Sequence, residues 1–206
     1  MACENLFNIV RGIQGFSVDM RKDKGLLHAV LDALSEEFLA PNIAKLRTMP
    51  KGPNYDYCFD GQLFFMAHTI MNNRQFEEFQ WPIIKQILDV MVECDKHIRI
   101  YVQGKMMDRL AGYFADYPKG HFAFHLEGDD LFAARKALPN CALIGGIPVD
   151  TLGYSSKEEC LNLTRSLVEE LGADGGFILS QDKMLTYRND AKAENLKAIC
   201  DYMNAQ

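Results

Sequence analysis

Short apolar runs alternating with helical patterns constrain this chain more than any other feature. The runs are His97 to Val102, His121 to Leu126, Ala142 to Ile147 and Gly176 to Leu179, with a stretch of helical spacing between each and the next. Runs of this length read as buried strands. A helix-length connection returns the chain to the same end of a sheet, so these strands are expected to pair in parallel through right-handed crossovers. Leu63-Phe64-Phe65-Met66, bounded by Gly61 and by Asn72-Asn73, adds a fifth buried strand, and Phe16 to Met20 suggests a sixth. The fold class is α/β. A closed eight-stranded barrel takes about 250 residues. The chain has 206, so two or three βα units are expected to be missing.

The intervening helices announce themselves by period and by their ends. Leu27, Val30, Leu31, Leu34, Phe38 and Leu39 share one face of a helix that should stop before Pro41 or continue kinked. Met49 to Pro53 is a surface loop. Phe76, Phe79, Ile83, Ile84, Ile87, Leu88 and Met91 mark a helix over Gln75 to Glu93, with Pro82 in the first turn of a new segment. Further helices are expected at Met106 to Phe114 and at Asp130 to Leu138. Ser156 with Glu159 is a capping box for a helix ending near Gly172, and Asp190 is expected to cap a last helix that packs Leu196 and Ile199. With 48% apolar residues, positions 1–206 are expected to form one domain, a helical lead-in over 1–55 followed by βα units over 56–206. An unclosed parallel sheet has bare edges, so a second copy, a partner chain or an N-terminal helical cover is expected on them.

Composition narrows the partners. The formal charge of −6 is spread along the chain and no segment concentrates Lys and Arg, so nucleic acid is not expected. The six cysteines lie far apart with no CxxC pair, the pattern of reduced thiols in the cytoplasm. Neither a leader-like start nor a run of about 18 apolar residues occurs, so no membrane association is expected.

Strand alternation then selects candidate chemistry. His121, Ala123, His125 and Glu127 point one way, and Phe122, Phe124 and Leu126 the other. The polar set is expected to face the barrel interior while the phenylalanines pack under outer helices. Glu127 ends its strand at the C-terminal mouth, where barrel enzymes place their chemistry. His125 and Glu127 together suit a zinc ion or an acid/base pair. The plainer reading is that they satisfy each other, with Asp129-Asp130 capping the next helix. His68 follows a strand at its C-terminal end and is either a site residue or a loop histidine. Gly145-Gly146 and Gly175-Gly176 either admit a ligand or serve turns and packing.

Several segments resemble the uroporphyrinogen decarboxylase superfamily, particularly its branch of anaerobic decarboxylase-like proteins that includes corrinoid methyltransferases. They are Gln75-Phe76-Glu77-Glu78-Phe79-Gln80-Trp81-Pro82, His125-Leu126-Glu127-Gly128-Asp129-Asp130, Gly145-Gly146-Ile147-Pro148, and Gly175 to Ser180 followed by Glu194-Asn195-Leu196-Lys197-Ala198. The resemblance covers most of the chain and matches the family's C-terminal part. It implies a (β/α)₈ barrel with ligands at the C-terminal strand ends, without choosing the reaction. Arg11-Gly12, with Asp19 and Arg21, is similar to the family's Arg-Gly and Asp-Arg positions, or is no more than ion pairs and a turn. Gln103 stands where related sequences carry Glu before the same glycine, and an amide orients a substrate but takes no proton. In the zinc methyltransferases the matching strand reads His-x-Cys and a later strand end supplies a second Cys. Here Glu127 replaces the first, and Gln181-Asp182 fall near the second. Asp182 and Lys183 also replace the histidine found after the last strand in porphyrinogen decarboxylases.

Three functions follow from the resemblance. The first is methyl transfer from a small methylated compound toward a corrinoid protein, with zinc held by His125 and Glu127 and substrate contacts from His68, Gln103 and Asp182. The second is porphyrinogen decarboxylation. The third is a non-catalytic subunit of an assembled barrel.

Overall fold

A computed structural model describes residues 2–52 and 58–205. The chain divides into two compact units, Met1–Gln103 and Gly104–Gln206.

The first unit opens with helices: α1 (Ala2–Asn5), α2 (Gly12–Lys22), α3 (Lys24–Leu34) and α4 (Ala40–Thr48). Leu6–Val10 and Ser35–Leu39 are π-helical turns. Phe16 to Met20 is therefore helical, a correction to the expected strand. Phe16 and Met20, four residues apart, are both buried on one face of α2, which is the helical period. Asp23 starts α3 by accepting the Leu26 N–H. The helical path does not stop at Pro41. It passes through the second π turn, and Pro41 sits in the first turn of α4, where a missing N–H costs nothing.

Strand β1 (Gly61–Phe65) pairs in parallel with β2 (Ile98–Val102), Leu63 opposite Ile100 and Phe65 opposite Val102. Those four side chains are buried, whereas Phe64 is half exposed beside Tyr101. Strand β1 thus alternates instead of being buried on both faces. Asn72 and Gln75 form a capping box for α5 (Asn73–Gln75), which runs through a π turn, Phe76–Gln80, into α6 (Trp81–Glu93) with Pro82 in its first turn. Phe65, Phe76, Phe79, Ile84 and Leu88 are almost completely buried in this unit. The expected loop at 49–53 falls on bends as far as Gly52, and Pro53 lies outside the described residues.

The second unit holds α7 (Met107–Leu110), β3 (Phe122–Leu126), α8 (Leu131–Ala137), β4 (Ala142–Ile147), α9 (Val149–Tyr154), α10 (Lys157–Leu171), β5 (Phe177–Gln181) and α11 (Ala193–Asn204). Strand β4 lies between β3 and β5, parallel to both. Every residue of β3 is buried. Phe124 packs edge-on against Phe114 and Phe122 against Tyr117, each pair 5.0 Å between centroids. At the N-terminal strand ends, Arg135 donates to the carbonyls of Cys141 and Gly176 at 3.2 and 2.8 Å, tying α8 to β4 and β5. Ser156 and Glu159 form the expected capping box. Asp190 does not cap the last helix. Its Oδ2 accepts from the N–H groups of Thr186 and Tyr187, and α11 begins beyond it at Ala193. Strand β5 also departs from expectation, since none of its residues is fully buried and Ile178 is 43% exposed.

Parallel strands alternating with helices make this an α/β chain. The described residues contain five strands, fewer than the eight of a closed barrel. All six cysteines are free thiols, and burial pushes the Cys141 thiol up to about 12. Among the described residues no helix is long and apolar enough to cross a membrane. Replacing Ser156 by Ala removes one half of the α10 capping box and should cost about 1 kcal/mol, read as a lower urea midpoint at unchanged slope.

Candidate functional site

The residues that end β3 are fixed by burial and by their neighbours' backbones. His125 is 3% exposed, and its Nε2 lies 2.7 Å from the carbonyl oxygen of Gln181 on β5. To reach it, the ring passes over β4 at Gly145, where a built Cβ would lie 3.6 Å from His125 Cδ2 and 3.9 Å from that same oxygen. Gly145 also holds φ +124°, which L side chains rarely adopt. A carbonyl oxygen only accepts, so Nε2 carries the proton and Nδ1 is the ring's acceptor nitrogen.

Glu127 is half-buried and turns the other way along the site. Its Oε2 accepts the Gly104 N–H at 3.1 Å, and Gly128 N–H donates to Gly104 O at 3.2 Å. Asp129 continues the clasp by accepting from the N–H groups of Met106 and Met107 at 2.9 and 3.2 Å. Asp130 caps α8 through the Ala133 N–H. A side chain at Gly128 would meet the Gly104 backbone at 2.9 Å, so only glycine permits this closeness. His125 and Glu127 therefore do not satisfy each other. Each is bonded to the backbone of another segment. Of the Asp129-Asp130 pair, only Asp130 caps the helix.

Asp182, just past β5, accepts the Val149 N–H of α9 at 2.9 Å and gives its own N–H to Ile147 at the end of β4. It fastens the two strand ends to the start of a helix.

In the first unit His68 is fully buried after β1, with its ring 4.5 Å from Phe65 and its Nε2 2.9 Å from the Gln103 carbonyl. The Gln103 side chain is exposed, so this residue meets His68 through its backbone. Arg11 and Asp19 form an exposed two-pronged ion pair at 2.7 and 2.8 Å, which holds the Asp19 carboxyl below its usual range. Sequence reasoning missed Glu4, whose carboxylate is buried beside the same strand end. It accepts from the N–H groups of Met66 and Ala67 and from the Gln80 amide. Its one sequence signal is a carboxylate set among Ala2, Cys3, Leu6 and Phe7.

The comparison with known proteins enters here. A family model described as "Uroporphyrinogen decarboxylase (URO-D)" matches residues 5–205. The chain belongs to the URO-D family. No curated protein sequence matches it. For a URO-D protein, the five described strands and their helices are consistent with an incomplete barrel of that family's type.

The zinc expected from the methyl-transferring branch finds no complete donor set in this URO-D chain. His125 Nε2 and Glu127 Oε2 are spent on backbone groups, and among the described residues no group of three or more His, Cys, Asp and Glu side chains converges as metal ligands. Four-coordinate zinc takes three or four protein donors. Removing the Asp129 carboxylate in Asp129→Ala strands two N–H groups of the 104–107 segment. It should cost roughly 1–3 kcal/mol in thermal or urea unfolding, with faster hydrogen exchange at Met106 and Met107.

Proposed function

We propose that this URO-D-family chain serves as a non-catalytic subunit of an assembly, rather than carrying out methyl transfer or decarboxylation by itself. One observation carries the reading: the polar side chains at the strand ends are tied to backbone. His68 is held to Gln103, His125 to Gln181, Glu127 to Gly104 and Asp182 to Val149. A buried group engaged in this way holds the fold, and releasing it for chemistry strands its partner. The exposure of β5 and of Met184, Leu185 and Tyr187 beyond it supports a covering chain, because parallel strands are ordinarily buried on both faces. The cover is a second copy or another protein.

A second reading, methyl transfer from a small methylated compound toward a corrinoid protein, is favoured by the His125 tautomer. A histidine whose one ring N–H is held by a carbonyl presents its other nitrogen as ligand or base. Zinc, were it held there, would lower the pKa of a bound thiol acceptor. Porphyrinogen decarboxylation lacks such a feature, because the Arg11 guanidinium is already neutralised by Asp19.

Elemental analysis of protein purified without chelator or histidine tag, together with its mass in solution, separates the readings. The subunit reading expects no zinc in the native chain or in His125→Ala, and a mass above that of one 23.4 kDa chain, alone or with a captured partner. Near-stoichiometric zinc that disappears in His125→Ala would overturn it in favour of methyl transfer. A zinc-free, partnerless monomer would overturn the subunit role.

A further inference from the structure

Glu4 is the one carboxylate in the buried polar set of the first unit, and none of the readings above uses it. It lies on α1, 4% exposed, and reaches the backbone just beyond β1. Oε1 accepts from Met66 N–H, Ala67 N–H and Gln80 Nε2 at 3.1, 3.2 and 2.7 Å, and Oε2 accepts from Ala67 N–H at 3.1 Å. Its neighbour Cys3 is 2% exposed and points its Sγ at the Phe79 carbonyl, 3.3 Å away. Short as it is, α1 is pinned at two places to the β1 end and to the π turn.

Among the described residues no Lys, Arg or His side chain is bonded to Glu4. The charged groups of the packed elements are engaged elsewhere: His68 with the Gln103 carbonyl, and Glu78 with Lys24 and His28. Glu77 is exposed on the same turn. Cys3 beside it has its thiol pushed up, chiefly by burial and next by Glu4 itself. Gln80 is 1% exposed and its Oε1 has no partner. Turned over, the same amide would place that oxygen toward the carboxyl and accept its proton.

We infer that Glu4 makes α1 a pH-operated latch, closed on the β1 end while the carboxyl is protonated and released as the pH rises. Burial pushes the Glu4 carboxyl up to about 7, outweighing its backbone hydrogen bonds and the amino-terminal charge. The sign follows from linkage. The docked form has the higher pKa and binds more protons than the released form from about pH 4.5 upward, so docking is strongest in acid and weakens as the pH passes about 7. Between pH 6 and pH 8 the docking equilibrium should fall about tenfold.

Cys3 supplies the readout. Its alkylation by iodoacetamide, followed peptide by peptide in the mass spectrometer and corrected for thiolate fraction with the unfolded chain, measures release of α1 in the full-length protein. Protection of Cys3 should drop about tenfold from pH 6 to pH 8, while that of buried Cys141 in the other unit holds. In Glu4→Gln, an isosteric change that cannot ionise, Cys3 protection should be flat across the same range. An equal slope in Glu4→Gln and wild type would overturn the latch. If Glu4→Gln exposes Cys141 as well, and so fails to fold, the carboxyl carbon of Glu4 in the wild type decides by NMR. A midpoint near neutrality supports the latch, and one at the ordinary glutamate value overturns it.

Discussion

The second unit depends on an imidazole lying across a strand. His125 leaves β3, crosses β4 where Gly145 offers no side chain, and ends on a carbonyl of β5, so one residue links three parallel strands at their C-terminal ends. Inter-strand backbone bonds weaken where strands diverge, and the carbonyls there would otherwise face water or nothing. The bond requires a planar, short, neutral donor that survives burial. Lysine would bring charge, and asparagine would fall short. Glu127, Asp129 and Asp182 do related work at neighbouring positions, each meeting N–H groups of a loop or helix start that no helix or sheet ladder satisfies.

Such an arrangement shows why a family motif and a reaction are separable. The segment His125 to Asp130 looked like a cluster of potential ligands, and every polar side chain in it has a hydrogen bond to backbone. In barrel enzymes the same positions face substrate. Holding strand ends and binding substrate draw on the same alternation, because both need polar groups on the inward face at the C-terminal edge. What differs is whether the partner is the chain itself or something from outside.

Period and punctuation made most of the fold legible. The strands at 61–65, 98–102, 122–126, 142–147 and 177–181 all coincide with apolar runs, and the Ser156/Glu159 pair placed α10. Phe16 to Met20 misled because an apolar residue every fourth position was read over too short a window, and Asp190 because a turn and a cap use the same side chain. The exposure of β5 was invisible, since Phe177-Ile178-Leu179 is as apolar as any buried strand. The site was legible in position and illegible in use. Alternation put His125 and Glu127 at a strand end, but their partners, Gln181 O and Gly104 N, are backbone atoms that carry no sequence signal. Glu4 was hidden for a related reason: its partners at Met66 and Ala67 are also backbone, some sixty residues away.

The three π turns of the first unit carry a consequence for how its sequence can vary. A π turn closes i→i+5 rings and so holds an extra residue relative to an α-helix. Ser35–Leu39 leads directly into α4, whose Arg47 grips Glu93 of α6 with two nitrogens. Loss of one residue there would let the turn relax to ordinary helix but rotate everything after it by about 100°, swinging Arg47 away from Glu93. Side chains in these turns can be exchanged one for another far more freely than the residue count can change. Length, more than composition, is what natural variation in this part of the chain has to conserve.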